Sequence, residues 1–264
     1  MRDIPVPPRY DYPPGYGEVL PIANYTPWEA DEAFQEVYRV VAENTQVDVT
    51  RCYELWTLLP QTAHLPGTVL EVGVWRGGTG ALLAARAASP ARGVGDGWSV
   101  DPGAGDHGTP AGDPRVDMDT HRTVYLADTF RGVVKAGPKD DYYRGGEHAD
   151  ASAAVVSALV SSLGLDNVRI LEGVFPEDTA DQIADEMVRF CHIDVDVYQS
   201  AKDVLDWVWP RMPVGGIVVY DDYGFYGCEG VTALGNEDFA RPDRVMIHNL
   251  NGHGVLVKTQ PEAR

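Results

Sequence analysis

The chain is short of positive charge. In 264 residues, 21 Lys and Arg stand against 40 Asp and Glu, a formal net charge of −19. No Lys/Arg cluster is present to neutralise phosphates, so neither nucleic acid nor an anionic membrane surface is an expected partner. Cysteine is scarce too. Cys52, Cys191 and Cys228 form no CxxC, no zinc spacing and no disulfide framework, and free thiols fit a reducing compartment. No apolar run approaches the roughly 18 residues of a membrane span. The opening "MRDIPVPPRYDYPPGYG" lacks the apolar core of a signal peptide. A cytoplasmic enzyme kept soluble by its charge is the expectation, and a divalent cation would find that field attractive. The seven histidines show no HxxxH or HxH spacing, which argues against zinc. No GxSxG elbow and no GxxxxGK[ST] phosphate loop occurs.

Proline and tyrosine dominate residues 1–26, which read as an extended arm, either a free tail or a strap on a neighbouring subunit of a homo-oligomer. The rest, 27–264, reads as one domain. "TPWEADEAFQEVYRVVAEN" predicts a helix with Thr26 as N-cap and Pro27 at its first position, and a second helix follows over 49–62. Strands and helices then alternate. "GTVLEVG", "TVYLADTF", "NVRILEGVF", "VRFCHIDVD" and "GGIVVYDDY" read as buried strands. "GGTGALLAARAA", "ADASAAVVSALVSSLGL", "PEDTADQIADEM" and "SAKDVLDWVWPRM" read as helices. The C-terminal "DRVMIHNLNGHGVLVK" reads as two strands around an Asn251-Gly252 turn. This order predicts an α/β fold: a Rossmann-like, doubly wound, mostly parallel sheet with an antiparallel C-terminal hairpin. Residues 88–122 form an aperiodic insertion. Within it, "WSVDP" (98–102) offers Asp101 as a rival to Asp128 for the end of the second strand.

Two stretches carry chemistry. In "VLEVGVWRGGTG" (69–80) a strand runs into a glycine turn and then a helix, the place where open α/β sheets bind ligands. Gly73, Gly77 and Gly78 do not make GxGxxG, so a nicotinamide-dependent oxidoreductase is a lesser alternative. Glu71, an acid inside the strand, suits a cationic ligand such as S-adenosylmethionine. Asp128, ending the second strand, suits ribose hydroxyls, and Gly173 and Phe175 after the third strand suit the adenine. In "IDVDVY" and "VVYDDY", Asp194, Asp196, Asp221 and Asp222 stand at the ends of two strands. Carboxylates there, with water, match a hard cation such as Mg²⁺. The competing structural reading has them cap helices or pair with arginines such as Arg211 and Arg76. His192 alternates with Asp194 and Asp196, and a satisfied core histidine is the expectation for it. A non-catalytic scaffold is the remaining alternative.

"EVGVWRGGTG", "YLADTFRG", "HIDVDVYQS" and "PRMPVGGIVVYDDYG" together resemble the macrocin and mycinamicin O-methyltransferase family, over about residues 40–258. The resemblance implies a class I S-adenosylmethionine-dependent fold, Mg²⁺ or another divalent cation, and a deoxysugar hydroxyl as acceptor. The sugar would be TDP-linked, as in TDP-rhamnose, or already part of a natural-product glycoside. It implies that Asp194, Asp221 and Asp222 hold the metal and that Asp196 is the general base. Glu71, Gly73, Val74, Trp75, Gly77, Gly78, Thr79, Asp128, Thr129, Gly173, Phe175 and Asp194 would then form the cofactor site. The loop 131–148 is longer than the family's usual acceptor loop, and its Lys135, Lys139 and Arg144 are candidate partners for a diphosphate. A metal-dependent methyltransferase of catechol-like small molecules is the alternative acceptor class.

Overall fold

A computed structural model describes residues 12–19, 23–89 and 122–261. The arm's first residues and most of the 88–122 insertion, with Asp101, lie outside the described residues.

Seven strands form one sheet: β1 (Thr68–Val72), β2 (Val124–Asp128), β3 (Val168–Glu172), β4 (Val188–Ile193), β5 (Ile217–Tyr220), β6 (Arg244–His248) and β7 (Gly254–Lys258). Their order is β3-β2-β1-β4-β5-β7-β6. The first five pair in parallel, and β7 runs antiparallel to both β5 and β6. The predicted doubly wound sheet with its C-terminal hairpin is thus the observed one.

Each central strand is apolar on both faces because helices cover both. Val69, Phe190 and Val219 pack under α1 (Glu32–Val41), α2 (Val49–Leu58), α3 (Gly78–Ala88) and α4 (Ala153–Ser162). The alternate residues Leu70, Cys191, Val218 and Tyr220 pack on α5 (Tyr198–Val208) and α6 (Glu229–Asp238). α5 buries Ala201, Val204, Leu205 and Val208, the i, i+3, i+4, i+7 stripe of an amphipathic helix. Each buried aliphatic there is worth about 1.5–3 kcal/mol.

Three predicted boundaries move. The first helix is capped by Asp31, which accepts from the Phe34 N–H at 3.0 Å. Thr26 precedes only a short 3-10 turn, because its hydroxyl turns to the Glu29 carboxylate instead of a backbone N–H. "PEDTADQIADEM" makes turns with a single 3-10 stretch, Ala180–Ile183. Its only buried apolar residues are Ala180 and Ile183, too little apolar surface to hold a full helix, and Asp178 accepts backward from the Val174 N–H at 2.9 Å. Residues 229–238, to which the sequence pattern assigns no element, form α6, which buries Val231 and Leu234 against β5 and β7 neighbours. In the described part of the arm, the Tyr12 and Tyr16 rings pack on Tyr226 of the same chain, centroids 5.9 and 5.7 Å apart.

Candidate active site

Strand order reverses between β1 and β4, and the carboxyl ends of these strands open on a cavity of about 310 Å³. The turn after β1 is shaped by two constraints. Gly73 has φ +88°, and a Cβ there would fall inside the Asp194 carbonyl oxygen, so only glycine lets the two strand ends lie this close. Asp128, from β2, then clamps the turn: its Oδ2 accepts from the Val74 N–H at 2.6 Å and the Trp75 N–H at 2.8 Å. Its Oδ1 accepts from the Phe130 N–H at 2.6 Å.

Gly73, Val74, Trp75, Thr79, Asp128, Thr129, Gly173, Phe175 and Asp194 all line the cavity, with Asn44–Val47 on the other side. Three of the residues expected at the cofactor are elsewhere. Gly77 and Gly78 lie beneath Val156 and Asn44, where any Cβ would clash. Glu71 is wholly buried, because strand alternation directs it to the sheet face under α3, where Gly80 lies against its Oε2. Its Oε1 meets His192 Nδ1 at 2.8 Å.

The four aspartates converge on the same cavity. One carboxylate oxygen from each of Asp194, Asp221 and Asp222 lies within 4.8 Å of the others. The hydrogen bonds Asp194 N–H to Val72 O, 2.9 Å, and Asp221 N–H to Ile193 O, 2.9 Å, continue the ladder to these acids and fix their backbones. The chain then turns at Asp196, φ +66°. Burial, with the neighbouring Asp221 and Asp222 charges, holds the Asp194 carboxyl well above the usual range. Burial, then Asp196 and Asp221, does the same to Asp222. Asp196 is raised chiefly by burial, against the hydrogen bond that Tyr143 gives it.

Asp221 differs. Burial opposes its charge, but hydrogen bonds from His192 and His253 and the charge of Arg51 outweigh that and hold its carboxyl far below the usual range. His192 Nε2 lies 3.3 Å and His253 Nε2 2.9 Å from Oδ1, and Arg51 is ion-paired with Oδ2. His253 Nδ1 meets Glu54 Oε2 at 2.6 Å. A buried chain therefore runs Glu71–His192–Asp221–His253–Glu54. His192 is a satisfied core histidine, with its pKa pushed up to about 10: burial works against the charge, and Asp221 and Glu71 more than offset it.

The arginine beside these acids is Arg51, not Arg76 or Arg211. Arg76 pairs with Asp150 at 2.6 Å, and Arg211 donates to the Trp207 carbonyl at 2.9 Å. The sequence reading passed over Arg51, His253, Glu54 and Tyr143; the one signal was a lone arginine in the first turn of an otherwise apolar helix face. The loop cations are also engaged. Lys135 is paired with Glu177 and Asp203, Lys139 with Glu237, and Arg144 donates to the Asp140, Asp141 and Tyr143 carbonyls.

Residues 115–245 match the macrocin O-methyltransferase (TylF) family model. The chain is 33% identical over 175 residues to mycinamicin III 3''-O-methyltransferase of Micromonospora griseorubida, covering 62% of this chain and 58% of that protein. It is 31% identical over 173 residues to 8-demethyl-8-(2,3-dimethoxy-alpha-L-rhamnosyl)-tetracenomycin-C 4'-O-methyltransferase of Streptomyces olivaceus, covering 62% and 56%. The match thus spans little more than half the length of these curated relatives. Among solved structures, the O-methyltransferase NovP superposes with a TM-score of 0.60 at 24% identity, over 82% of this chain and 83% of that one. CalS11, a calicheamicin methyltransferase, gives 0.59 at 16%, over 91% and 98%. The fold is that of the class I O-methyltransferases, and residues 115–245, which hold all four aspartates and three of the four motifs, match the macrocin O-methyltransferase family.

Proposed function

We propose that this protein is an S-adenosylmethionine- and divalent-cation-dependent O-methyltransferase acting on a deoxysugar hydroxyl, with the sugar nucleotide-linked or carried on a glycoside. The observation that carries the reading is the meeting of Asp194, Asp196, Asp221 and Asp222 in one cavity beside the glycine turn. Two buried or half-buried acids, Asp194 and Asp222, have carboxyls raised by burial and by the charges of neighbouring aspartates. Such a pair fits a dication, which would relieve both costs. The cavity also fits an adenosyl group, since it is concave, at the switch point, and walled by Trp75, Phe175, Val74 and Val174.

When bound, S-adenosylmethionine supplies an electrophilic methyl group, and a divalent ion such as Mg²⁺ acidifies and orients the sugar hydroxyls. Asp194, Asp221 and Asp222 would hold the ion. Asp196 would take the proton of the acceptor hydroxyl. The backbone of Asp196 is fixed for this, because its N–H donates to Asp222 Oδ2 at 2.8 Å. Tyr143, on the loop over the cavity, lines it with Asp196 and favours the ionised form of that carboxyl, so it would help to position the base. Asp128 would act through the turn, since all the bonds above that it accepts come from backbone N–H groups.

The test is methyl transfer to TDP-rhamnose and to rhamnosylated glycosides, with and without EDTA. Product formation that EDTA abolishes and Mg²⁺ restores is expected. Undiminished turnover in EDTA removes the metal from the reading, and transfer only to catechols removes the sugar.

A further inference from the structure

The three proposed metal carboxylates are not equivalent. Neither Asp194 nor Asp222 has an ion-pair partner among the described residues. Asp221 is crowded with nitrogen partners. Its Oδ1 receives two imidazole nitrogens, and its Oδ2 is ion-paired with Arg51 Nη1. The same nitrogen donates to the Asp221 carbonyl at 3.2 Å. Arg51 itself is 7% exposed and lines the cavity. Its Nε is held by Asp48 Oδ2 at 2.8 Å, and its guanidinium lies over the Phe225 ring, 4.7 Å from the centroid.

We propose that Arg51 is a resident counter-cation of the metal site, neutralising Asp221 in the empty protein, and that a divalent ion binds only by loosening this ion pair. The inference rests on the reading of Asp194, Asp221 and Asp222 as metal ligands. With Oδ1 doubly occupied, an ion reaching Asp221 must share Oδ2 with the guanidinium. Two positive groups on one oxygen repel strongly where little water screens them. Asp48 and Phe225 give Arg51 a place to remain when it releases Asp221: its Nε bond and the face of the ring do not depend on that carboxylate. Arg51 thus keeps four carboxylates tolerable in the absence of metal, and it weakens the metal's hold.

The experiment is Mn²⁺ binding to the full chain, read by calorimetry and by the electron paramagnetic resonance of free Mn²⁺. Arg51→Met is expected to bind Mn²⁺ about tenfold tighter or more than the wild type, because a competing charge is gone. Arg51→Lys should fall between them. In Arg51→Ala, added guanidinium should weaken Mn²⁺ binding again, an effect that a purely structural arginine would not give. Unchanged or weaker Mn²⁺ binding in Arg51→Met overturns the proposal. Should the variants fail to fold, the Arg51 Nη–H resonances of the wild type decide: they should shift on adding diamagnetic Mg²⁺, and static resonances at saturating Mg²⁺ overturn it. The underlying metal reading fails separately, if the wild type binds no Mn²⁺ or if Asp194→Asn leaves binding intact.

Discussion

The backbone N–H of Asp196 donates to Asp222 Oδ2 at 2.8 Å, so the proposed base and a proposed metal ligand are locked to each other across the ends of β4 and β5. The bond exists because Asp196 leaves the strand with φ +66°, aiming its N–H toward the neighbouring strand while its side chain faces Tyr143. Asp196→Asn preserves this backbone bond. It should lower kcat by about 10²–10⁴-fold, as loss of a general base does, with S-adenosylhomocysteine affinity nearly unchanged by calorimetry. An unaltered kcat would remove Asp196 from the proton transfer.

Asp221 couples function to stability. Asp221→Asn leaves Arg51 and His192 as buried cations without their shared partner. Breaking such a buried pair costs about 3–5 kcal/mol. Thermal unfolding should therefore show a clear fall in Tm, alongside loss of Mn²⁺ binding. Asp194→Asn should lose the metal with no such fall, since it removes a repelled charge and no ion pair.

Tyr143 tests the loop. Tyr143→Phe removes only the hydroxyl, the group that favours the ionised Asp196 carboxyl across the cavity. A hydrogen bond to a charged group is worth about 1.5–3 kcal/mol, so kcat should drop about tenfold or more. Cofactor binding should not change. A rise in the acceptor KM alone would mean that Tyr143 binds sugar and does not position the base.

The pH dependence of the metal-free protein has a definite sign. The folded pKa of His192, about 10, lies above the ordinary histidine value, so its stabilisation is full below about pH 6.5 and is lost as pH rises toward 10. Asp194 and Asp222 are also raised; their contribution is present below the ordinary carboxylate range and is lost as they ionise. All three act in one direction. Asp221, held far below the usual range, acts oppositely but only in the acid range; above about pH 5, Tm in EDTA should decline with rising pH, and the gain in Tm on adding Mg²⁺ should grow over the same range. A Tm that climbs with pH above about pH 5 in EDTA would contradict this arrangement.

The sequence by itself determined the sheet and the neighbourhood of the site. Both-faced apolar strands can be satisfied only by helices on both sides, and acids at strand ends in such a fold must gather at the carboxyl edge, so Asp194, Asp196, Asp221 and Asp222 were legible from pattern alone. The tertiary structure decided which partner each acid meets. Glu71 belongs to His192 and not to the cavity, Asp128 spends its oxygens on the turn, and Asp221 is claimed by Arg51, His192 and His253, which lie 170, 29 and 32 residues from it. No local periodicity encodes such pairings. Electrostatic partnership depends on separations of a few ångströms in space, and these are fixed only when α2 and β7 dock on the two sides of β5's carboxyl end.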